Sequence, residues 1–208
     1  MNSRAAARLV AYGAQAERLR VAIDHDGVVA TGPGLGATAW GDLSPAHEAI
    51  RRSGRSALFI ATGPSVARGG RTSLGNLDAS DAVRARLAPT LLADVLLVSS
   101  LVRGEIRTLL LASDLVAIDG SAVVAAGGVA LALAARAGGA RVILVAPDRD
   151  PAGAHRAPVD AAALERRIAD SIRSGGATAA VAREAAAGVM AEDVRVEVLP
   201  AAFVDAAP

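Results

Sequence analysis

Apolar residues in this chain gather in short runs, and Ala- and Arg-rich stretches of helical periodicity separate them. The runs predict strands over 19–23, 56–62, 94–100, 114–119 and 141–147, and a last one over 194–200. Four of the first five are unbroken apolar runs rather than alternations, which suits strands covered on both faces. Between them the pattern predicts helices near 45–53, 79–88, 102–112 and 128–137. The first of these has legible ends, with Ser44 as N-cap, Pro45 at the first helical position and Gly54 just past the last turn. Strands alternating with helices predict an α/β fold, a doubly wound and mostly parallel sheet with helices on both faces. Residues 1–20 read as an amphipathic helix and 21–208 as a single α/β domain, in which a Pro-rich loop after Pro147 leads into Ala/Arg helices over 160–190.

Composition narrows the chemistry. The chain has 208 residues, enough for one domain with a substantial core, and 52% of them are hydrophobic. Its formal charge of +1 and the absence of a basic block leave no nucleic-acid footprint, and four aromatic residues are too few for base-stacking surfaces. All 22 basic residues are Arg. The lack of Lys removes Schiff-base chemistry and a P-loop lysine, so phosphate recognition falls to Arg, backbone amides or a helix N-terminus. Without Cys there is no disulfide, thiolate metal site or thiol nucleophile, and the three His residues have no metal-ligand spacing. No cofactor is expected. The longest apolar run, 122–135, is too short to span a bilayer, and the N-terminus lacks the apolar core of a signal peptide. A cytoplasmic protein is expected, with neither a membrane nor nucleic acid as its partner.

In a doubly wound sheet, ligands bind outside the carboxyl ends of the strands. With the predicted strands, that rule selects 24–36, 62–71, 99–100, 119–121 and 147–150. The first stretch holds Asp24-His25-Asp26-Gly27, a strand-D-x-D-G pattern followed later by "LFIATG" ending in the Thr62 region. This pattern resembles the opening motifs of haloacid dehalogenase-like phosphatases, whose chemistry needs a carboxylate nucleophile and a second carboxylate as acid/base. The late acidic pair that would hold magnesium in such an enzyme has no counterpart here, since Asp119 stands alone.

A second resemblance covers about 180 residues in four blocks. The stretch 25–48 is similar to the glycine loop and "A-H-E" helix of methylthioribose-1-phosphate isomerases. "IATGPSVARGGRTS" looks like their "T-R-P-x-x-Q-G-x-R-L-T" segment, "SDLVAIDGSAVV…ALALAARAGGARVILVAP" like their "D-L-V-L-V-G-A-D-A-V" region, and the C-terminus like their closing segment. The chain thus resembles the broad family of initiation factor 2B α/β/δ-type subunits and methylthioribose-1-phosphate and ribose-1,5-bisphosphate isomerases. The resemblance implies a Rossmann-like fold, a homodimer and a phosphorylated ribose or nucleotide as ligand. It further implies acid/base groups acting across C1 and C2 in any aldose-ketose isomerase. At the family's Cys position it puts Asp26, and at its Asp position Ser121, with Asp119 two residues away. His25, Gly32, Gly34, Gly36, Thr62, Arg68 and Arg71 are the implied substrate and phosphate contacts. The same fold also implies a non-catalytic alternative, an assembly or regulatory subunit.

Overall fold

The computed structural model describes residues 3–23, 27–33, 44–55, 57–63, 73–116, 120–146 and 196–205. They form α1 (Ser3–Ala22), β1 (Val29–Thr31), α2 (Pro45–Arg52), β2 (Ala57–Ala61), α3 (Leu74–Arg84), β3 (Ala88–Leu92) and α4 (Asp94–Val102). These are followed by β4 (Thr108–Val116), β5 (Ala122–Ala125), α5 (Gly128–Ala137), β6 (Arg141–Val145), β7 (Val196–Leu199) and a 3-10 turn at Ala201–Phe203. None of these helices is long and apolar enough to cross a membrane.

Strands β3, β2, β1, β4 and β6 lie side by side and parallel. The central strand β4 outlasts its neighbours. Its first half pairs with β1 and β6, while Ser113–Val116 turns to antiparallel pairing with β5, which in turn pairs antiparallel with β7. The expected doubly wound, mostly parallel sheet is therefore present. The last predicted strand joins it through the short antiparallel ribbon.

Helices cover both faces, and the side-chain alternation of the central strands divides the core accordingly. Val29, Leu110, Ile143 and Val145 meet α1, α2 and α3 through Leu19, Ile23, Ala46, Ala49, Ile50 and Ala82. Ala30, Leu109, Leu111, Val142 and Leu144 meet α4 and α5 through Leu97, Leu101, Leu131 and Ala135. Burying one such Leu contributes about 2 kcal/mol of transfer free energy.

Several expected elements change type or place. Residues 19–22 finish α1 instead of forming a strand, because Leu19 and Ile23, which directly follows the helix, press one side of it onto the sheet. Residues 94–100 form helix α4, not a strand: Leu97 and Leu101 are buried on the same stripe while Val95, Leu96 and Val102 remain exposed. Residues 102–112 were expected as a helix, and Leu109–Leu111 are good helix formers. Those residues nevertheless lie in β4, buried on both faces between β1 and β6, where tertiary pairing outweighs intrinsic propensity. The strand expected at 114–119 is the end of this same β4, whose described part stops at Val116. The helix expected at 79–88 runs over Leu74–Arg84 and gives way to β3, and the apolar run from 122 splits into β5 and α5 at a Gly127-Gly128 turn.

Candidate functional site

Chain order fixes where a ligand crevice opens. From β1 the chain winds outward through β2 to β3, and α4 then carries it back past β1 to β4 and on to β6. The winding reverses between β1 and β4, so the crevice lies at the carboxyl ends of these two strands.

Gly32 and Pro33 follow β1 there. The Gly32 N–H donates to Leu110 O at 2.8 Å, and a Cβ on Gly32 would collide with Leu111 Cδ2, so the loop leaves β1 in close contact with β4. Thr62 and Gly63 follow β2. Gly63 has φ +63°, and its Cα faces Pro33 with no room for a side chain, which joins the two loops. The Thr62 hydroxyl donates to Leu92 O at 2.8 Å, and its N–H reaches the same carbonyl at 2.9 Å. Its proton is therefore used within the protein, and lone pairs alone face any ligand.

Two carboxylates brace the same end. Asp94, in the first turn of α4, accepts from the Gly63 N–H through Oδ1 at 2.8 Å, and its Oδ2 borders Gly127 at the entrance to α5. Glu197 on β7 accepts from the Val129 N–H at 3.0 Å and so caps α5. The N-terminus of α5 is thus occupied by a carboxylate of the chain itself.

His47, in the first turn of α2, is buried, and neither ring nitrogen has a hydrogen-bond partner among the described residues. Loss of solvation pushes its pKa down to about 4, so it is neutral at pH 7. Gln15 and Thr31 on the same side of the sheet are also buried, each with an unpartnered oxygen. The Gln15 side-chain amide donates to Ala146 O, just beyond β6.

Of the residues that the sequence singled out, Gly32 and Thr62 stand at the crevice. Ser121 lies between the Gly120 turn and β5. His25, Asp26, Gly34, Gly36, Arg68, Arg71 and Asp119 lie outside the described residues, as does Asp24 of the D-x-D-G pattern. Because 19–22 is helical, that pattern stands in the connection from α1 into β1 and not after a strand. Gly27, its last residue, packs against Arg107 just ahead of β4, at the amino end of the sheet.

Sequence reasoning missed Asp114. Opposite β5, Ser113 pairs with Val124 and Leu115 with Val123, which leaves Asp114 as the extra residue of a β-bulge. Bulges recur beside active sites, where they redirect a side chain or end a ladder. "LLLASD" had been divided between a helix and a strand.

No protein-family model matches the sequence, and no curated protein matches it either. Solved structures do. The chain is similar to the translation initiation factor eIF-2B of Pyrococcus horikoshii OT3, with TM-score 0.59 and 14% identity over 93% of this chain and 60% of that one. It is equally similar to 5-methylthioribose 1-phosphate isomerase from the same organism, with TM-score 0.59 and 14% identity over 94% of this chain and 53% of that one. A third match is a chain of the tetrameric eIF2B-beta2-delta2 complex from C. thermophilum, with TM-score 0.53 and 14% identity over 93% and 52%. The fold is the one these proteins share, in agreement with the resemblance seen in the sequence. The chain spans between half and 60% of their lengths.

Proposed function

We propose that the crevice between the carboxyl ends of β1 and β4 binds a phosphorylated ribose or nucleotide. The observation that carries this reading is the register shift at Asp114 on β4, beyond the residues of that strand that pair with β1 beside the switch point. Backbone amides of the turn and the arginines proposed from sequence, Arg68 and Arg71, supply anion recognition without Lys. Asp114, with Asp119 further along the same connection, supplies the acid/base groups for moving a proton between C1 and C2 of a bound aldose, and the Ser121 hydroxyl a hydrogen bond to a sugar oxygen. Asp26, proposed from sequence at the family's Cys position, completes the proposed set. The chain beyond its N-terminal helix acts as one α/β domain, works in the cytoplasm as a homodimer, and needs no cofactor.

Calorimetric titration with ribose 5-phosphate and AMP tests the binding, and conversion of a ribose 1-phosphate to its ketose tests the chemistry. Asp114→Asn is expected to lower turnover by about 10²–10⁴-fold while sparing the fold. Full turnover in Asp114→Asn, or no binding of either ligand, would refute the proposal.

A second reading, an assembly or regulatory subunit, draws on α4. Its exposed Val95, Leu96 and Val102 give it apolar surface away from the core, and a relative of the same fold is a chain of a tetramer. Stable oligomers without ligand binding would favour this reading.

A further inference from the structure

Four helices of this protein end in the same way. In α2, α3, α4 and α5, two backbone N–H groups beyond the last turn fold back onto carbonyls of that turn, and the residue after the C-cap takes a left-handed conformation. In α2, α4 and α5 that residue is Gly54, Gly104 or Gly139. In α3 it is Arg86, with φ +62°, the one non-glycine residue at positive φ among those described. A side chain at such a position costs about 1 kcal/mol relative to Gly. The helix C-terminus accounts for a basic residue somewhere nearby, and Arg84 in the last turn already meets that need. It does not account for the strained position.

Arg86 borders a pocket of about 340 Å³ between α1, α2 and the end of α3, lined by Tyr12, Glu48, Arg51, Arg84, Ala85 and Arg86. The volume is that of a small-molecule site. Three guanidinium groups and one carboxylate give the lining a net charge of +2, and the outlying pairs Arg52–Glu48 and Arg84–Asp81 leave that balance unchanged. Arg51 spends Nε and Nη2 on Glu48, and Arg84 meets Asp81 through Nη1 at 3.0 Å. Both arginines are about half exposed, so these pairs are weak and yield readily to a better anion. The Arg86 guanidinium makes no ion pair or hydrogen bond among the described residues. Tyr12 supplies a neutral aromatic wall: burial, and then the Glu48 carboxylate, raise its pKa above the usual phenol range.

We infer that this pocket is a binding site for a small phosphate monoester, with Arg86, Arg84 and Arg51 holding the dianionic phosphoryl group and the Tyr12 ring carrying the organic part. The site lies where α2 and α3 lead into the amino ends of β2 and β3, away from the crevice at the carboxyl ends. It therefore stands or falls independently of the function proposed above.

Tyr12 is the one tyrosine in the chain, so its ring NMR signals report on this pocket. Inorganic phosphate, titrated at constant ionic strength against chloride, is expected to shift the Tyr12 signals saturably. Arg86→Gly suits the left-handed backbone, and losing one charge-assisted contact is expected to weaken phosphate binding by about tenfold or more. Arg86→Asn, which also tolerates that conformation, is expected to do the same. An unsaturable Tyr12 response, or unchanged phosphate affinity in both folded variants, would overturn the inference.

Discussion

The two faces of the sheet are built differently. Against α4 and α5 the buried side chains are Leu, Val, Ile and Ala, and every unpartnered buried oxygen or imidazole nitrogen among the described residues lies elsewhere. Against α1, α2 and α3 the same sheet buries Thr31 and Thr108 and meets Gln15 and His47, all with unsatisfied polar atoms. Such atoms cost about 1–3 kcal/mol each when left without a partner. The α4–α5 face therefore holds the fold together, while the α1–α2–α3 face gives up stability to keep polar groups buried, Thr108 at the amino end of β4 and Thr31 at the crevice end of β1. Strained or unsatisfied groups of this kind collect where proteins bind ligands.

The contrast can be tested by substitution. The largest effect is expected on the apolar face: Leu101→Ala, at a fully buried position, should lower unfolding free energy by about 3 kcal/mol, read from the midpoint of urea denaturation. A loss below about 1 kcal/mol would mean that this face is not the main support.

Next comes pH dependence, which belongs to the polar face. The folded-state pKa of His47 lies near 4, below its ordinary 6.5, so between these values the unfolded chain binds more protons than the native state. The stability tied to a neutral His47 is complete above pH 6.5 and is lost progressively as pH falls toward 4, by about 3 kcal/mol in all. Replacing His47 by Leu should flatten that slope. An equal slope in wild type and His47→Leu would assign the acid sensitivity to other groups.

Asp94 links the two faces at the rim of the crevice. Asp94→Ala leaves the Gly63 N–H without its acceptor and should cost about 1–2 kcal/mol, with faster amide exchange at Gly63 as the local signature. The smallest effect has the opposite sign. Arg86→Gly relieves the left-handed backbone at the end of α3 and should stabilise the protein by up to about 1 kcal/mol, seen as a higher denaturation midpoint. Destabilisation by that variant would show that the side chain contributes to the fold.

Fold class was legible in the sequence, because buried parallel strands leave unbroken apolar runs and the helix at α2 carries its own caps. Ser44 accepts from the Ala46 N–H, Pro45 starts the helix, and Gly54 ends it at φ +80°, all as local chemistry dictates. Of the candidate site, Gly32 and Thr62 were named through the family resemblance, and the structure sets them after β1 and β2. Asp114 could not be named, since "RGEIRTLLLASDLV" carries neither helical nor strand periodicity that decides between the two.

Tertiary structure decided the rest. Leu-rich 109–111 became a strand because β1 and β6 stand ready on either side to take its backbone hydrogen bonds, whereas Val-rich 94–102 became a helix because it has one face to bury and a sheet to cross. Local composition fixes how apolar a segment is. Which neighbours satisfy its backbone N–H and C=O groups depends on the whole arrangement, and that choice made β4 the strand in which Asp114 falls at a register shift against β5.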